Sequence, residues 1–232
     1  MKTNRTEANG LIRSGADRKG ILLKTNVILL FSLILIIFVL PAFASLGSFI
    51  TSALLCTIVI SGLFAADFSR TAFRVIFFLG TLVVLAILIN LFFPDFQNFN
   101  ALTFLLVTLF FIIVTIALVA HVASAKEVYS STLLCAINSY LLIGLTLSIL
   151  LMIMDLFLPG SFTEVDSLSG NLSVFTYYGF VTLTTLGFGD ITPDTELARS
   201  LSTFTALFGQ LYLVIIMALI IGKYLKGKPG ED

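Results

Sequence analysis

Long apolar runs constrain this chain more than any other feature. Six of them are each close to the length, about 20 residues, that a helix needs to cross a bilayer. Overall, 58% of the residues are hydrophobic and only 11% are charged, a composition that soluble domains do not have. Lipid satisfies no backbone hydrogen bonds, so such runs must be helical. The sequence predicts an all-α integral membrane protein with six transmembrane helices, at about Val27–Ala44, Phe49–Ala66, Val75–Phe93, Ala101–Ala123, Thr132–Leu158 and Leu197–Tyr224.

The first run has a second interpretation. Ala42, Phe43 and Ala44 are similar to the small-residue site at which a secretory signal peptide is cleaved. The run is longer than an ordinary signal-peptide core, however, and another apolar run follows at once. We therefore interpret it as a transmembrane span.

Basic residues predict the orientation of the chain. Lys and Arg collect on the cytoplasmic side of membrane proteins. If the amino terminus lies inside, twelve of the thirteen Lys and Arg fall on the cytoplasmic side, with Arg199 the exception. The outer side then holds acidic residues, namely Asp95, Asp155, Glu164, Asp166, Asp190, Asp194 and Glu196. We predict a multi-pass protein of the cell membrane with both termini cytoplasmic.

Few residues offer other chemistry. Thirteen basic and thirteen acidic residues cancel, so nothing points to nucleic acid as a partner. Cys56 and Cys135 lie inside apolar runs, where free cysteine behaves as a small hydrophobe, and His121 has no partner at metal-ligand spacing. The sequence has no phosphate-binding glycine loop, catalytic triad or paired carboxylates. We expect no enzymatic activity and no cofactor.

A different kind of segment precedes the last span. Leu172–Val181 is apolar but has only about ten residues, which is too short to cross a bilayer. The next segment, Thr182–Asp190, has Gly187 and Gly189 separated by one residue. Glycine allows positive φ at alternate residues, which turns successive carbonyls to one side, and irregular backbone survives at membrane depth only beside a watery cavity. We predict a re-entrant helix followed by a carbonyl-lined loop that binds a monovalent cation.

The segment 184–190 reads Thr-Thr-Leu-Gly-Phe-Gly-Asp and closely resembles the selectivity-filter signature of tetrameric potassium channels. Leu186 stands where valine is usual. Phe188 stands where tyrosine is commoner, which removes a hydroxyl that could tie the filter to its pore helix. Tyr177 and Tyr178 fall where the family often has a tryptophan pair. The alternative is a chance Gly-x-Gly in a membrane loop, which the apolar context disfavours.

The resemblance implies a filter, its supports and a partner set. One filter strand cannot enclose an ion, so a homotetramer is expected, with three identical subunits and the lipid bilayer as partners. Potassium ions are then bound at Thr185, Leu186, Gly187 and Phe188. Gly189 completes the filter, and Thr184, Asp190, Tyr177 and Tyr178 support it.

Three residues of the last span are candidates for gating. Gly209 lies twenty residues after Gly189, the spacing of a gating-hinge glycine in the resembled family, although close helix packing explains it equally well. Ile216 and Ile220 are one helical turn apart and either form an apolar constriction or pack against other helices.

The fourth span carries no charge from Ala101 to Ala120, whereas voltage-sensing helices are rich in arginine. We therefore expect a channel that is not steeply voltage-gated. An eight-residue connector spans at most about 29 Å, so each four-helix unit should pack beside its own pore domain. The predicted parts are a cytoplasmic basic tail (1–24), a four-helix transmembrane unit (25–122), a short cytoplasmic connector (123–130), a pore domain (131–225) and a cytoplasmic tail (226–232).

Two other functions remain open. The first is a non-selective monovalent cation channel on the same scaffold. The second is a non-conducting membrane assembly module that keeps a pore-like loop.

Overall fold

The regular elements of the part of the chain that the structure describes are helices. The computed structural model describes residues 20, 22–38, 47–65, 70–92, 97–125, 129–163 and 171–226. Most of the basic tail, part of the connector, the carboxy-terminal tail, Glu164 and Asp166 therefore lie outside the described residues. The described helices are α1 (Leu22–Phe38), α2 (Gly47–Phe64), α3 (Arg70–Phe92), α4 (Gln97–Ser124), α5 (Ser130–Phe157), α6 (Leu172–Leu183) and α7 (Glu196–Lys226).

The predicted apolar segments coincide with these helices. For α2 to α7, the observed ends differ from the predicted ends by five residues or fewer. The helices long and apolar enough to cross a membrane are α3, α4, α5 and α7. The apolar stretches of α1 and α2 are shorter in the described part of the chain, so the six-span topology stays a prediction, as does the division into domains.

Helix α5 is the centre of the packing. It contacts α4, α6 and α7, while α2, α3 and α4 pack against one another. In an 18-residue apolar stretch of α5, 67% of the residues are buried inside the single chain, whereas in that of α7 only 22% are. Helix α7 is thus apolar and yet largely uncovered in the single chain.

A buried amide pair fixes α1 to the rest of the chain. Asn26 in α1 donates to the carbonyl oxygen of Ala65 (2.8 Å), just after the end of α2. Asn138 in α5 donates to the carbonyl oxygen of Asn26 (2.9 Å). Burying an amide is costly unless it is hydrogen-bonded, so this cluster allows few alternative positions for α1.

Helix α4 contacts both α5 and α7 of the same chain. Helix α4 lies along α5. At its carboxyl end, Lys223 of α7 donates to the carbonyl oxygens of Val122 (2.7 Å) and Ala123 (2.8 Å). The last carbonyls of a helix lack intrahelical partners and carry partial negative charge. The ammonium therefore stabilises the contact between α4 and α7.

Glycine contacts hold the short helix α6 against α5. A Cβ added at Gly144 would lie 2.5 Å from the ring of Phe180, and one added at Gly179 would overlap Ser148. Larger residues at either glycine would push the two helices apart. The position of α6 therefore depends on backbone approach in addition to apolar burial.

Candidate functional site

Helix α6 begins at a side-chain cap. The side-chain oxygen of Asn171 accepts a hydrogen bond from the N–H of Ser173 (2.9 Å), which satisfies one of the free donors at a helix start. Behind this turn, the ring of Phe162 lies 5.4 Å from that of Phe175 and 5.1 Å from that of Tyr178. The start of α6 is thus fixed both by a cap and by an aromatic cluster.

Helix α6 ends in a left-handed turn at Thr185, whose φ is 61°. The N–H of Thr185 donates to the carbonyl of Thr182, and the N–H of Leu186 donates to that of Val181. The N···O distance is 3.0 Å in both hydrogen bonds. This is the Schellman arrangement, in which the left-handed residue is usually glycine. A residue with a side chain costs about 1–2 kcal/mol there. The fold keeps threonine at this point despite that cost, which indicates a role for its side chain.

Positive φ recurs at alternate residues along the loop. Gly187 (φ 53°) and Gly189 (φ 79°) follow Thr185, and this is the alternation that the sequence predicts at the two glycines. The N–H of Gly187 also points back to the carbonyl of Val181 (3.4 Å). In the part of the chain that the structure describes, no hydrogen bond is donated to the carbonyls of residues 185–189. These oxygens are available to a species from outside the chain.

Tyr177 holds the outer half of the loop. Its hydroxyl donates to a carboxylate oxygen of Asp190 (2.5 Å). This hydrogen bond is the main reason that the pKa of Asp190 lies below its ordinary value of 3.8. The two residues are thirteen apart in sequence, so the contact ties the middle of α6 to the end of the loop.

The other two predicted supports act on α6 itself. The hydroxyls of Tyr178 and Ser202 lie 2.7 Å apart, which joins α6 to α7. The hydroxyl of Thr184 donates to the carbonyl of Phe180 (2.7 Å) and so closes the last turn of the helix. Tyr178 and Thr184 therefore fix helix α6, from which the loop extends, whereas Tyr177 contacts the end of the loop directly.

The segment after the loop is pinned to the end of α5. Phe162 and Pro193 form an isolated antiparallel bridge. Beside it, the N–H of Thr163 donates to the carbonyl of Thr192 (2.9 Å), and that of Asp194 donates to Ser161 (2.8 Å). Arg199 adds an exposed ion pair to Asp194 at 3.7 Å, a kind of contact worth at most about 1 kcal/mol. The loop is therefore fixed at both ends.

Helix α7 meets the inner end of the loop at Gly209. A Cβ added there would overlap the carbonyl oxygen of Leu183, the last residue of α6. The next residue, Gln210, donates from its amide nitrogen to the hydroxyl oxygen of Thr185 (3.3 Å). Of the two interpretations of Gly209, the structure favours close packing.

A comparison with known protein families points to the same part of the chain. Residues 140–226 match a family model described as "Ion channel". This part of the chain is thus similar to an ion channel family. The match includes most of α5, α6, the loop and α7, which are the elements that build the site. No curated protein and no solved structure matches the chain.

The two isoleucines of α7 lie in or against the apolar core of the single chain. Ile216 is 6% exposed and Ile220 packs against the same apolar cluster. Packing therefore explains both residues within the single chain, and their role as a constriction stays a prediction. Neither Cys56 nor Cys135 forms a disulfide. Among the residues whose placement is described, no cluster of His, Cys, Asp or Glu could hold a metal ion.

Three features of the loop and its surroundings have little or no signal in the sequence. The bridge between Phe162 and Pro193 joins two irregular segments that have no periodicity. The hydrogen bond from Gln210 crosses 25 residues of chain, and its only sequence signal is a polar residue inside an apolar span. Backbone propensity predicts a glycine, and not threonine, at a left-handed position such as that of Thr185.

Proposed function

We propose that the protein is a subunit of a potassium-selective channel, in which ions pass passively through a filter made of residues 185–189 from four identical chains. The observation that carries this proposal is the alternation of positive φ at Thr185, Gly187 and Gly189, next to carbonyls without hydrogen bonds in the described structure. Such oxygens can replace the hydration shell of potassium. The transported ions would lie at Thr185, Leu186, Gly187 and Phe188, and the protein would have no enzymatic activity.

The uncovered apolar surface supports assembly from several copies. Leu186 and Phe188 are 62% and 67% exposed in the single chain, although apolar side chains beside a filter should be covered. Helix α7 is the least buried of the four long apolar helices. A closed ring of identical subunits covers such faces and completes the filter at the same time. Native mass spectrometry should give a tetramer, and a dimer without higher species would contradict this arrangement.

The charge pattern supports one placement in the membrane. In this proposal α1 to α5 and α7 span the cell membrane, α6 is the re-entrant pore helix, and both termini are cytoplasmic. Twelve of the thirteen basic residues then lie inside, as expected from the positive-inside rule. Accessibility of single introduced cysteines to an impermeant reagent tests this. Labelling of Leu158→Cys from the cytoplasmic side would contradict the orientation.

A recording in a potassium-to-sodium gradient tests the function. The purified protein is placed in planar bilayers, with potassium on one side and sodium on the other. The reversal potential should lie close to the potassium equilibrium potential. A reversal potential near zero would indicate a non-selective cation channel, and a silent protein that still assembles would indicate a non-conducting module.

The four-helix part should give only shallow voltage dependence. Moving one charge across the membrane field is worth ~2.3 kcal/mol per 100 mV, and steep gating moves roughly three to four charges per subunit. Residues 101–120 of α4 carry no charge. The conductance–voltage curve in symmetrical potassium should therefore be shallow. A steep sigmoid that flattens on neutralising Arg70 and Arg74 would reveal a sensor in α3.

The contact between Tyr177 and Asp190 predicts a pH dependence at the outer side. Asp190 has a depressed pKa, so the stabilisation from its ionised form is present above the ordinary value and is lost as pH falls through the lower, folded value. The current should fall only at an outer pH below about 4. In Tyr177→Phe the hydroxyl is gone, so the fall should move to higher pH. Superimposable pH profiles for the two proteins would contradict this role of Tyr177.

A further inference from the structure

Gln210 is a polar residue in the apolar helix α7, next to the point where α7 meets α6. Its amide nitrogen donates to the hydroxyl oxygen of Thr185 over 3.3 Å. Polar side chains at membrane depth are costly and face protein or a watery cavity. The contact therefore gives Gln210 a fixed partner in the loop.

The hydroxyl of Thr185 has one proton to donate and two lone pairs to accept with. It donates to the carbonyl of Thr184 (2.6 Å), and Gln210 occupies one lone pair. One lone pair is left. Because partners hold the hydroxyl on both its donor and its acceptor side, the direction of that last lone pair is fixed.

The close approach at Gly209 explains how Gln210 reaches the loop. Helix α7 abuts the carbonyl of Leu183 at Gly209, and Leu183 lies two residues before Thr185. The residue after Gly209 is therefore the one brought up to the threonine hydroxyl. The left-handed turn of the loop (φ 61° at Thr185) places that hydroxyl at the inner end.

We propose that Gln210 is a positioning residue for the innermost cation site of the filter. It holds the hydroxyl of Thr185 in each subunit so that the remaining lone pair faces the ion. This inference rests on the proposed function, because it takes the loop to be the ion path. It adds to the filter a residue of α7, outside the signature sequence.

Barium is the sharpest probe of this role. It has nearly the radius of potassium and twice the charge, so each oxygen dipole contributes about twice as much to its binding. Loss of ordered hydroxyls should therefore weaken barium binding more than it changes potassium conduction. The barium is added on the cytoplasmic side, from which the innermost site is reached first.

The experiment measures barium block of the full-length channel in bilayers. Gln210→Leu should raise the blocking concentration at least about tenfold, because one lost hydrogen bond of usual net strength gives about that change and all four subunits lose theirs. In a Thr185→Ser background the hydroxyl remains, so Gln210→Leu should weaken block there too. In a Thr185→Val background the hydroxyl is gone, so Gln210→Leu should have no further effect. Thr185→Ala is a second hydroxyl-free background if the valine variant does not assemble.

A control and the contrary outcomes complete the design. Thr203→Val removes an exposed hydroxyl of α7 that donates to the carbonyl of Arg199 in the same helix, so its block should equal that of the wild type. Equal losses from Gln210→Leu in the serine and hydroxyl-free backgrounds would overturn the positioning role, as would unchanged block in Gln210→Leu alone. A wild-type protein that passes no potassium is a separate failure, which overturns the proposed function and the inference with it.

Discussion

Replacing Gly187 by alanine in the proposed potassium channel should abolish potassium conduction while the proposed tetramer still assembles. Gly187 has a φ of 53°, and a Cβ added there meets nothing within 4 Å in the single chain. The effect of alanine at this position is therefore on the backbone conformation. A residue with a side chain costs about 1–2 kcal/mol in this region. The chain can relieve that strain by turning a peptide, which rotates a carbonyl away from the ion path. In the proposed tetramer all four subunits carry the change, so a whole ring of oxygens would be lost at once.

Gly160 offers a matched control for this substitution. It has a φ of 80° and, like Gly187, nothing within 4 Å of an added Cβ, but it lies in the turn after α5. Gly160→Ala should therefore carry similar strain and retain current. Single-channel recording and native mass spectrometry are made on both variants. Full conduction in Gly187→Ala, or equal loss in Gly160→Ala, would show that the loop carbonyls are not the ion path.

The helices of this protein could be predicted from sequence because a bilayer leaves the backbone few choices. An uncharged run of about 20 residues in lipid must be helical, and that is how α3 and α5 were found within a few residues of their ends. The positive φ values of Gly187 and Gly189 were predictable for a related reason. Only glycine adopts such angles at little cost.

The contacts that fix the loop could not be predicted in this way. The left-handed conformation of Thr185 arises because the end of α6 is closed by hydrogen bonds to Val181 and Thr182, and backbone propensity argues against threonine there. The pairing of Phe162 with Pro193 depends on how two irregular segments meet in space. Sequence periodicity carries no information about either contact.

Gly209 has two interpretations in the sequence, and the structure favours one of them. Its spacing from Gly189 allowed both a hinge and a packing contact, because glycine serves either purpose in a membrane helix. The structure places the carbonyl of Leu183 where a Cβ would have to lie. The two explanations now predict opposite effects of the same substitution.

Gly209→Ala should destabilise the protein and lower the potassium selectivity of the proposed channel. The added methyl group overlaps a backbone atom, so α7 must move away from α6, and overpacking of this kind typically costs about 1–3 kcal/mol. The movement carries Gln210 away from Thr185 and disturbs the inner end of the filter. We therefore expect a lower unfolding temperature of the protein and, for the proposed channel, a reversal potential that moves toward zero in opposed potassium and sodium.

Gly222→Ala in the same helix is the matched control. A Cβ at Gly222 meets nothing within 4 Å, so alanine should only add helix propensity, worth about 0.5–1 kcal/mol. Its unfolding temperature should equal or exceed that of the wild type, with an unchanged reversal potential. A hinge at Gly209 predicts a different pattern, because alanine would then stiffen α7, alter open probability and leave stability and selectivity intact. That pattern in Gly209→Ala would restore the hinge and refute the packing contact.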